Sequence, residues 1–263
     1  MTDLPNLHQL VSLEGKRAVV TGAAAGIGQA ISYRLAEAGA DLDLVDVDAD
    51  HLCAAGNALE ALGVDIQCHT VDLSKKEERD GLWERLDAPD ILVNNAGIYP
   101  CRNFLDVGEA FYAQVMAINM DSVYWMCQHM IRNRRKQGGT IINIGSIEAV
   151  QPFKEDLSHY SVSKAGVLAL TRALAKEHAR HGFRINAILP GGIVTQGTKA
   201  VAKQVLRFQL GLIKDGIEFR QRLPIRRLGR PDEVARMVVV LASELASYVQ
   251  GAAIPVDGGF LAA

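Results

Sequence analysis

The chain has 263 residues, a formal charge of −2 and 49% hydrophobic side chains, enough apolar content to bury a large core and too little net charge for a disordered polyelectrolyte. Lys and Arg are dispersed, and the densest basic run, Arg132 to Lys136, reads as a solvated helix end, so no nucleic-acid partner is expected. The opening stretch MTDLPNLHQLVSLEGK lacks a basic start followed by an apolar run, and no later stretch approaches the roughly 20 apolar residues of a membrane span, which points to a cytoplasmic protein without membrane attachment.

After a polar lead-in over 1–15, short apolar runs alternate with helical patterns. The strand RAVVT precedes a helix from Gly26, LDLVD precedes a helix from Asp48, and DIQCHTVDL precedes a helix near Ser74. DILVNNAG is followed by helices across Ala110 to Arg135, TIINIGS by a helix from Ser158, and RINAILPGG closes the alternation. Strands separated by helices predict an α/β fold, a doubly wound parallel sheet of Rossmann type with helices on both faces. Ile27, Ala30, Ile31, Leu35 and Ala38 recur at helical steps, giving the first of these helices an apolar stripe for the sheet. No repeat, low-complexity tract or Pro/Gly/Ser-rich linker divides the chain, so 1–263 is expected to form one domain. The long departure, 196–227, carries Val201, Val205, Leu206, Phe208, Leu210, Leu212 and Ile213 among charges and suits an amphipathic lid.

Directly after the first strand comes TGAAAGIG, Thr21 to Gly28. Glycines at 22, 26 and 28 permit a tight turn, a close backbone approach to a pyrophosphate and close packing of helix on strand, with the helix N-terminus at Ile27 and Gly28 turned toward the anion. A glycine-rich turn alone is weak, because turns need glycine anyway. Asp46, 18 positions beyond Gly28 at the end of the second strand, adds to it. It stands near the roughly 20-residue offset of a ribose-binding acid. A carboxylate there accepts from both ribose hydroxyls and repels a 2′-phosphate, and neither Ala23 to Ala25 nor Val47 to Asp50 offers a base to neutralise one, so NAD is expected over NADP. The blander alternative is that Asp46 or Asp48 caps the next helix.

The segment SHYSVSKAGV places Tyr160 and Lys164 four residues apart, on one face of a helix. A free phenol titrates near ~10, so it is a poor base at neutral pH until a nearby cation stabilises phenolate. Ser146 ends the strand TIINIGS, where open α/β sheets bind ligands. If the three side chains converge on one substrate oxygen, Tyr160 exchanges the alcohol proton while hydride passes between carbon and nicotinamide, and Ser146 orients the oxygen. Taken singly, each residue is as readily a surface group. The four cysteines, Cys53, Cys68, Cys101 and Cys127, form no Cys-x-x-Cys pair and no His cluster stands at ligand spacing, so no metal is expected and the thiols read as reduced.

With these pieces in order, TGAAAGIG, Asp72 in VDLS, NNAG at Asn94 to Gly97, Asn119, Ser146, YSVSK, PGGIVT and the late VDGG, the chain resembles the short-chain dehydrogenase/reductase family from about Lys16 to the C-terminus. The resemblance implies a catalytic set of Asn119, Ser146, Tyr160 and Lys164, with Asn119 holding a water that links Lys164 to solvent and Lys164 also binding the nicotinamide ribose. It implies Asp72 at the adenine, the turn containing Asn95 and Gly97 beside the adenosine ribose, and Thr195 at the carboxamide. It also implies a homotetramer, with the helix from Ser158 to His181 and the C-terminal AAIPVDGGF at subunit contacts. One departure is the gap of 14 positions from Ser146 to Tyr160, a residue longer than the commonest family spacing and enclosing FKEDLSH. That run is expected to loop out at the pocket rim.

Glu148, two residues past Ser146, places a carboxylate in the rim segment IEAVQPFKED, which suits a polyhydroxylated ligand and is similar to sugar dehydrogenases of the family. A small-molecule substrate of the sugar or polyol class follows as the expectation. Two other readings stay open: reduction of 3-oxoacyl thioesters or hydrophobic cyclic ketones, suggested by Phe208, Leu210 and Leu212, and a nucleotide-binding scaffold without turnover.

Overall fold

Apolar runs bounded by glycine and polar turns become the strands of a single sheet. The computed structural model describes residues 4–195 and 222–263. Its strands are β1 (Arg17–Thr21), β2 (Asp41–Asp46), β3 (Ile66–Thr70), β4 (Ile91–Asn94), β5 (Gly139–Ile144), β6 (Phe183–Pro190) and β7 (Ala253–Val256). They pair in parallel in the order β3-β2-β1-β4-β5-β6-β7. Between them run α1 (Leu7–Val11), α2 (Gly26–Glu37), α3 (Ala49–Asn57), α4 (Lys76–Trp83), α5 (Glu109–Met116), α6 (Ser122–Asn133), α7 (Ser158–His178) and α8 (Pro231–Ala242).

Side chains alternate across each strand, so neighbouring residues enter opposite layers. Ala18 and Val20 of β1 join Leu42, Leu44, Val93 and Ile142 in a core covered by α2 and α8. Val19 faces the other way and joins Val45, Leu92, Ile141 and Ile185, covered by α4, α6 and α7. The expected doubly wound sheet is therefore present, with helices on both faces. Strand order reverses between β2-β1 and β4, which opens a crevice beyond the carboxyl ends of β1 and β4, where such sheets take ligands.

Three features depart from the sequence reading. The lead-in holds α1, whose Asn6 and Gln9 form a reciprocal cap, and α8 and β7 extend the alternation past the expected lid. Apart from 222–227, that lid lies outside the described residues. The basic run at the end of α6 is also not wholly solvated. Arg134 donates to the carbonyls of Gly138 and Ala88 and pairs with Asp90 at 2.9 Å, tying α6 to the base of β4.

Candidate active site

The turn after β1 is held open by glycine and closed by Asn95. Gly22 and Gly26 have φ of +67° and +59°, which disfavours side chains. A Cβ on Gly28 would lie 1.9 Å from the carbonyl oxygen of Gly22 and 2.6 Å from Asn95 Nδ2, so α2 can approach the turn only with glycine there. Asn95 Nδ2 donates to the carbonyls of Thr21 at 2.9 Å and Gly22 at 3.1 Å, bracing the loop against the end of β4. Across Gly26 the space is open to the methyl of Thr195, 3.4 Å from where a Cβ would stand. Ile27 opens the first turn of α2, whose N-terminal amides face this space.

Asp46 ends β2 beside this loop. Its Oδ2 accepts from Ala24 N at 3.0 Å and its Oδ1 from Asp48 N at 3.1 Å, so the carboxylate is fixed by backbone on two sides. Capping of α3 falls to Asp48, which accepts from His51 N at 3.1 Å. Asp72 is engaged in its own turn: Oδ1 accepts from Ser74 N at 3.0 Å and Ser74 Oγ at 2.6 Å, and these bonds hold the carboxyl below the usual carboxylate range.

Ser146, Tyr160, Lys164 and Asn119 come together beyond β5. Ser146 is fixed at the start of a short turn over Ile147–Ala149, its Oγ accepting from Glu148 N at 3.2 Å. Lys164 is buried and donates to Ile144 O at 2.9 Å, with Nζ 5.9 Å from the centre of the Tyr160 ring. Asn119 sits in a π-helical turn, Ala117–Asp121, between α5 and α6. That widened turn lets its amide grip the Ile98 backbone, accepting at Oδ1 from Ile98 N (2.8 Å) and donating to Ile98 O (2.9 Å) and Ser163 Oγ (3.3 Å). Gly97 lies where the two meet: a Cβ there would stand 3.3 Å from Asn119 Oδ1 and 3.6 Å from Lys164 Nζ.

The electrostatics differ from the sequence argument in one respect. Lys164 was expected to make the phenol easier to ionise; in this site burial dominates, pushing the Tyr160 phenol up to about 12, and Glu148 adds to the rise while the hydrogen-bonded Ser146 side chain opposes it. Burial pushes the Lys164 ammonium down to about 8. Desolvation disfavours whichever form is charged, so it moves the acid up and the base down and holds both groups toward neutrality.

A family model described as enoyl-(acyl carrier protein) reductase matches residues 22–261. The chain belongs to the short-chain dehydrogenase/reductase family. It is 37% identical over 257 residues to the 2-dehydro-3-deoxy-D-gluconate 5-dehydrogenase of Escherichia coli (strain K12), covering 95% of this chain and 97% of that relative. It is 36% identical over 251 residues to the galactitol 2-dehydrogenase (L-tagatose-forming) of Cereibacter sphaeroides, covering 94% and 96%. A crystal structure described as an NAD(P)-dependent gluconate 5-dehydrogenase from Beutenbergia cavernae, with NADP at low occupancy, superposes with a TM-score of 0.89 at 32% identity, covering 97% of this chain and all of that one. As a short-chain dehydrogenase/reductase, the chain is a nicotinamide-dinucleotide oxidoreductase acting on CH–OH groups.

Around this family core the structure adds residues that the sequence reading passed over. Thr21 Oγ1 accepts from Asn95 N at 2.9 Å and Ala96 N at 3.0 Å, locking the ends of β1 and β4 together; its signal was the threonine just before the first glycine. Tyr99, in NNAGIYP, sets its ring edge-on to Tyr160 at 4.7 Å. His159 is buried and donates through Nε2 to Pro100 O at 2.7 Å, with Phe111 edge-on at 4.9 Å. Glu148 is buried rather than at an open rim. Its Oε2 accepts from Ser161 Oγ at 3.1 Å, the amides of Phe153 and Lys154 face the carboxylate, and burial raises its pKa. Among the described residues no cluster of His, Cys, Asp or Glu could hold a metal ion, and no helix is long and apolar enough to cross a membrane.

Proposed function

We propose that the chain transfers hydride between NAD(H) and a secondary alcohol or ketone of a sugar or polyol, with Ser146, Tyr160, Lys164 and Asn119 as the catalytic set. The observation that carries this is the convergence of the Ser146 hydroxyl and the Lys164 ammonium on one partly buried phenol beyond the carboxyl end of β5. The glycine turn fits a dinucleotide: it leaves open backbone at Gly22 and Gly26, and the tight contact of Gly28 with Gly22 brings the amides of α2 to the same space. Asp46 holds the adenosine ribose and favours NAD, Asp72 and the Asn95–Gly97 turn flank the adenine end, and Thr195 stands across Gly26 at the nicotinamide end. These residues would hold the dinucleotide, which would supply hydride to a ketone or take it from an alcohol.

The residues of the chain handle the proton. Ser146 donates to the substrate oxygen and orients it. Tyr160 gives a proton to that oxygen in ketone reduction and takes one from the alcohol in oxidation. With burial holding the phenol neutral, the reducing direction starts from the form already present at neutral pH. Lys164 places positive charge beside the phenol when the proton leaves, and Asn119 keeps the Ile98 backbone and the turn around Lys164 in place. Glu148 shapes the pocket wall from behind, its Oε2 on the Ser161 hydroxyl, and its buried Oε1 is not offered to a substrate hydroxyl.

The gluconate and galactitol relatives support the sugar or polyol class. The acyl carrier protein in the description of the matching family model supports a second reading, reduction of 3-oxoacyl thioesters. We further propose a cytoplasmic homotetramer with α7 and the C-terminal segment at its contacts, supported by the exposed Tyr124 and Trp125 on the neighbouring α6. Nicotinamide absorbance across sugars, polyols, simple ketones and 3-oxoacyl thioesters tests the activity, with Tyr160→Phe as control. Turnover on sugars or polyols that falls roughly 100-fold or more in the variant is expected. Full activity in Tyr160→Phe sinks the mechanism, and silence across the panel with NADH still bound favours a scaffold.

A further inference from the structure

The longer run between Ser146 and Tyr160 does not loop out. It folds against the segment after β4: Arg102 N donates to Asp156 O at 2.9 Å, His159 reaches Pro100 O, and Lys154 Nζ lies 3.2 Å from Cys101 Sγ and 5.8 Å from the centre of the Tyr99 ring. Tyr99 in turn touches Tyr160. A primary ammonium is thus held one aromatic ring away from the phenol. Among the described residues Lys154 forms no ion pair, although Glu155 and Asp156 follow it directly and buried Glu148 lies within its field. The other cation on this rim, Arg102, is turned onto Phe111, its guanidinium carbon 4.2 Å from the ring centre.

A cation held by a thiol and an aromatic face, with no carboxylate in ion-pair contact, is matched to an anion brought by the ligand. The geometry points to Lys154 as an anion subsite, so that the substrate is a sugar acid: a polyhydroxylated chain whose carbinol meets Tyr160 and whose carboxylate meets Lys154 across Tyr99. This rests on the hydride-transfer reading above and narrows its substrate class. A neutral polyol offers hydroxyls to Ser146 and Tyr160 but no anion to the Lys154 ammonium.

The test is NAD-linked kinetics on stereoisomeric five- and six-carbon aldonates, each paired with the alditol of the same configuration, in wild type, Lys154→Met and Lys154→Arg. The wild type is expected to prefer the aldonate of the best pair in kcat/KM. That selectivity is expected to fall roughly 10- to 100-fold in Lys154→Met, through KM, and to return in Lys154→Arg, because a charged hydrogen bond is lost and then replaced. Alditols turned over as well as aldonates, or selectivity unmoved by Lys154→Met, overturns the subsite and leaves the hydride-transfer reading standing. No turnover on any sugar, polyol or acid, with thioesters reduced instead, overturns both.

Discussion

Removing the charge of Asp46 while keeping its shape should exchange the cofactor preference. The carboxylate is held by Ala24 N at 3.0 Å and Asp48 N at 3.1 Å, so it cannot swing away from a group entering beside the glycine turn. Two unit charges about 4 Å apart interact by about 1 kcal/mol in water and about 4 kcal/mol at the effective dielectric of a protein surface. A 2′-phosphate carries roughly −1.5 to −2 at pH 7. For a ribose bonded to the carboxylate, a site between these limits gives about 2–3 kcal/mol against NADPH, roughly a 30- to 150-fold preference for NADH. Asp48 and Asp50 add negative charge outside, and Asp48 is already paired with His51 at 2.7 Å. Asp46→Asn keeps an acceptor for one backbone amide and removes the repulsion, so the two dissociation constants should come within a few-fold of each other. Titration of NADH and NADPH by nicotinamide fluorescence reads both directly. Equal binding of the two by the wild type refutes the electrostatic argument, and equal weakening of both in Asp46→Asn shows instead that the carboxylate serves only to hold the loop.

Ketone reduction should fall as pH rises through about 8, where Lys164 discharges, while Tyr160 keeps its proton up to about 12; a rate that stays flat to about pH 10 refutes this ordering. Gly28→Ala should abolish NADH binding or solubility, because its methyl would have to displace Gly22 O from 1.9 Å; unchanged affinity in a folded variant counts against the tight-turn argument. Buried Asp43 holds Arg17 at 2.7 Å and His69 at 2.8 Å, and although burial raises its pKa, those two bonds outweigh it and hold the carboxyl below 3.8. Asp43→Asn should therefore cost about 3 kcal/mol in urea unfolding at pH 7. A group lowered in the folded state stabilises above its unfolded value and ceases to as pH falls through its folded value, so the deficit should shrink in acid; a deficit that grows in acid overturns the assignment.

The cofactor half was legible because its physics is local. Gly22, Gly26 and Gly28 are required by positive φ and by a 1.9 Å approach, which no other residue satisfies, and Asp46 follows from the strand end that carries it. The central strands were legible for the same reason, as buried parallel strands read as near-continuous apolar runs, whereas the edge strand β3, IQCHT, is largely exposed. Beyond 195 the charged, mixed pattern hid α8 and β7, though α8 starts with Pro231 and its Glu233 carboxylate accepts from Arg230 N at 2.8 Å, a signal present in RPDE. The spacing of Tyr160 and Lys164 placed them on one helix face, but no spacing reports how deeply that face is buried. Burial therefore pushes the phenol up and the ammonium down.

The rim shows where sequence reading stops and why. An extra residue between Ser146 and Tyr160 looked like slack to be shed into solvent, which is the cheapest fate of an insertion when nothing holds it. Here it is held from two sides: by buried Glu148, whose carboxylate takes the Ser161 hydroxyl and faces the amides of Phe153 and Lys154, and by the backbone bond from Arg102 to Asp156. Each contact joins segments about 50 residues apart or ties the loop back to the helix that carries Tyr160, so none follows from local pattern. The result is a wall in which one short segment sets both the position of Tyr99 against the phenol and the height of the Lys154 ammonium above it. Substrate choice can then change through 99–102 and 148–159 while the glycine turn, Asp46 and the buried Lys164 stay as they are. A substitution such as Lys154→Met should accordingly move selectivity among substrates without moving the affinity for NADH.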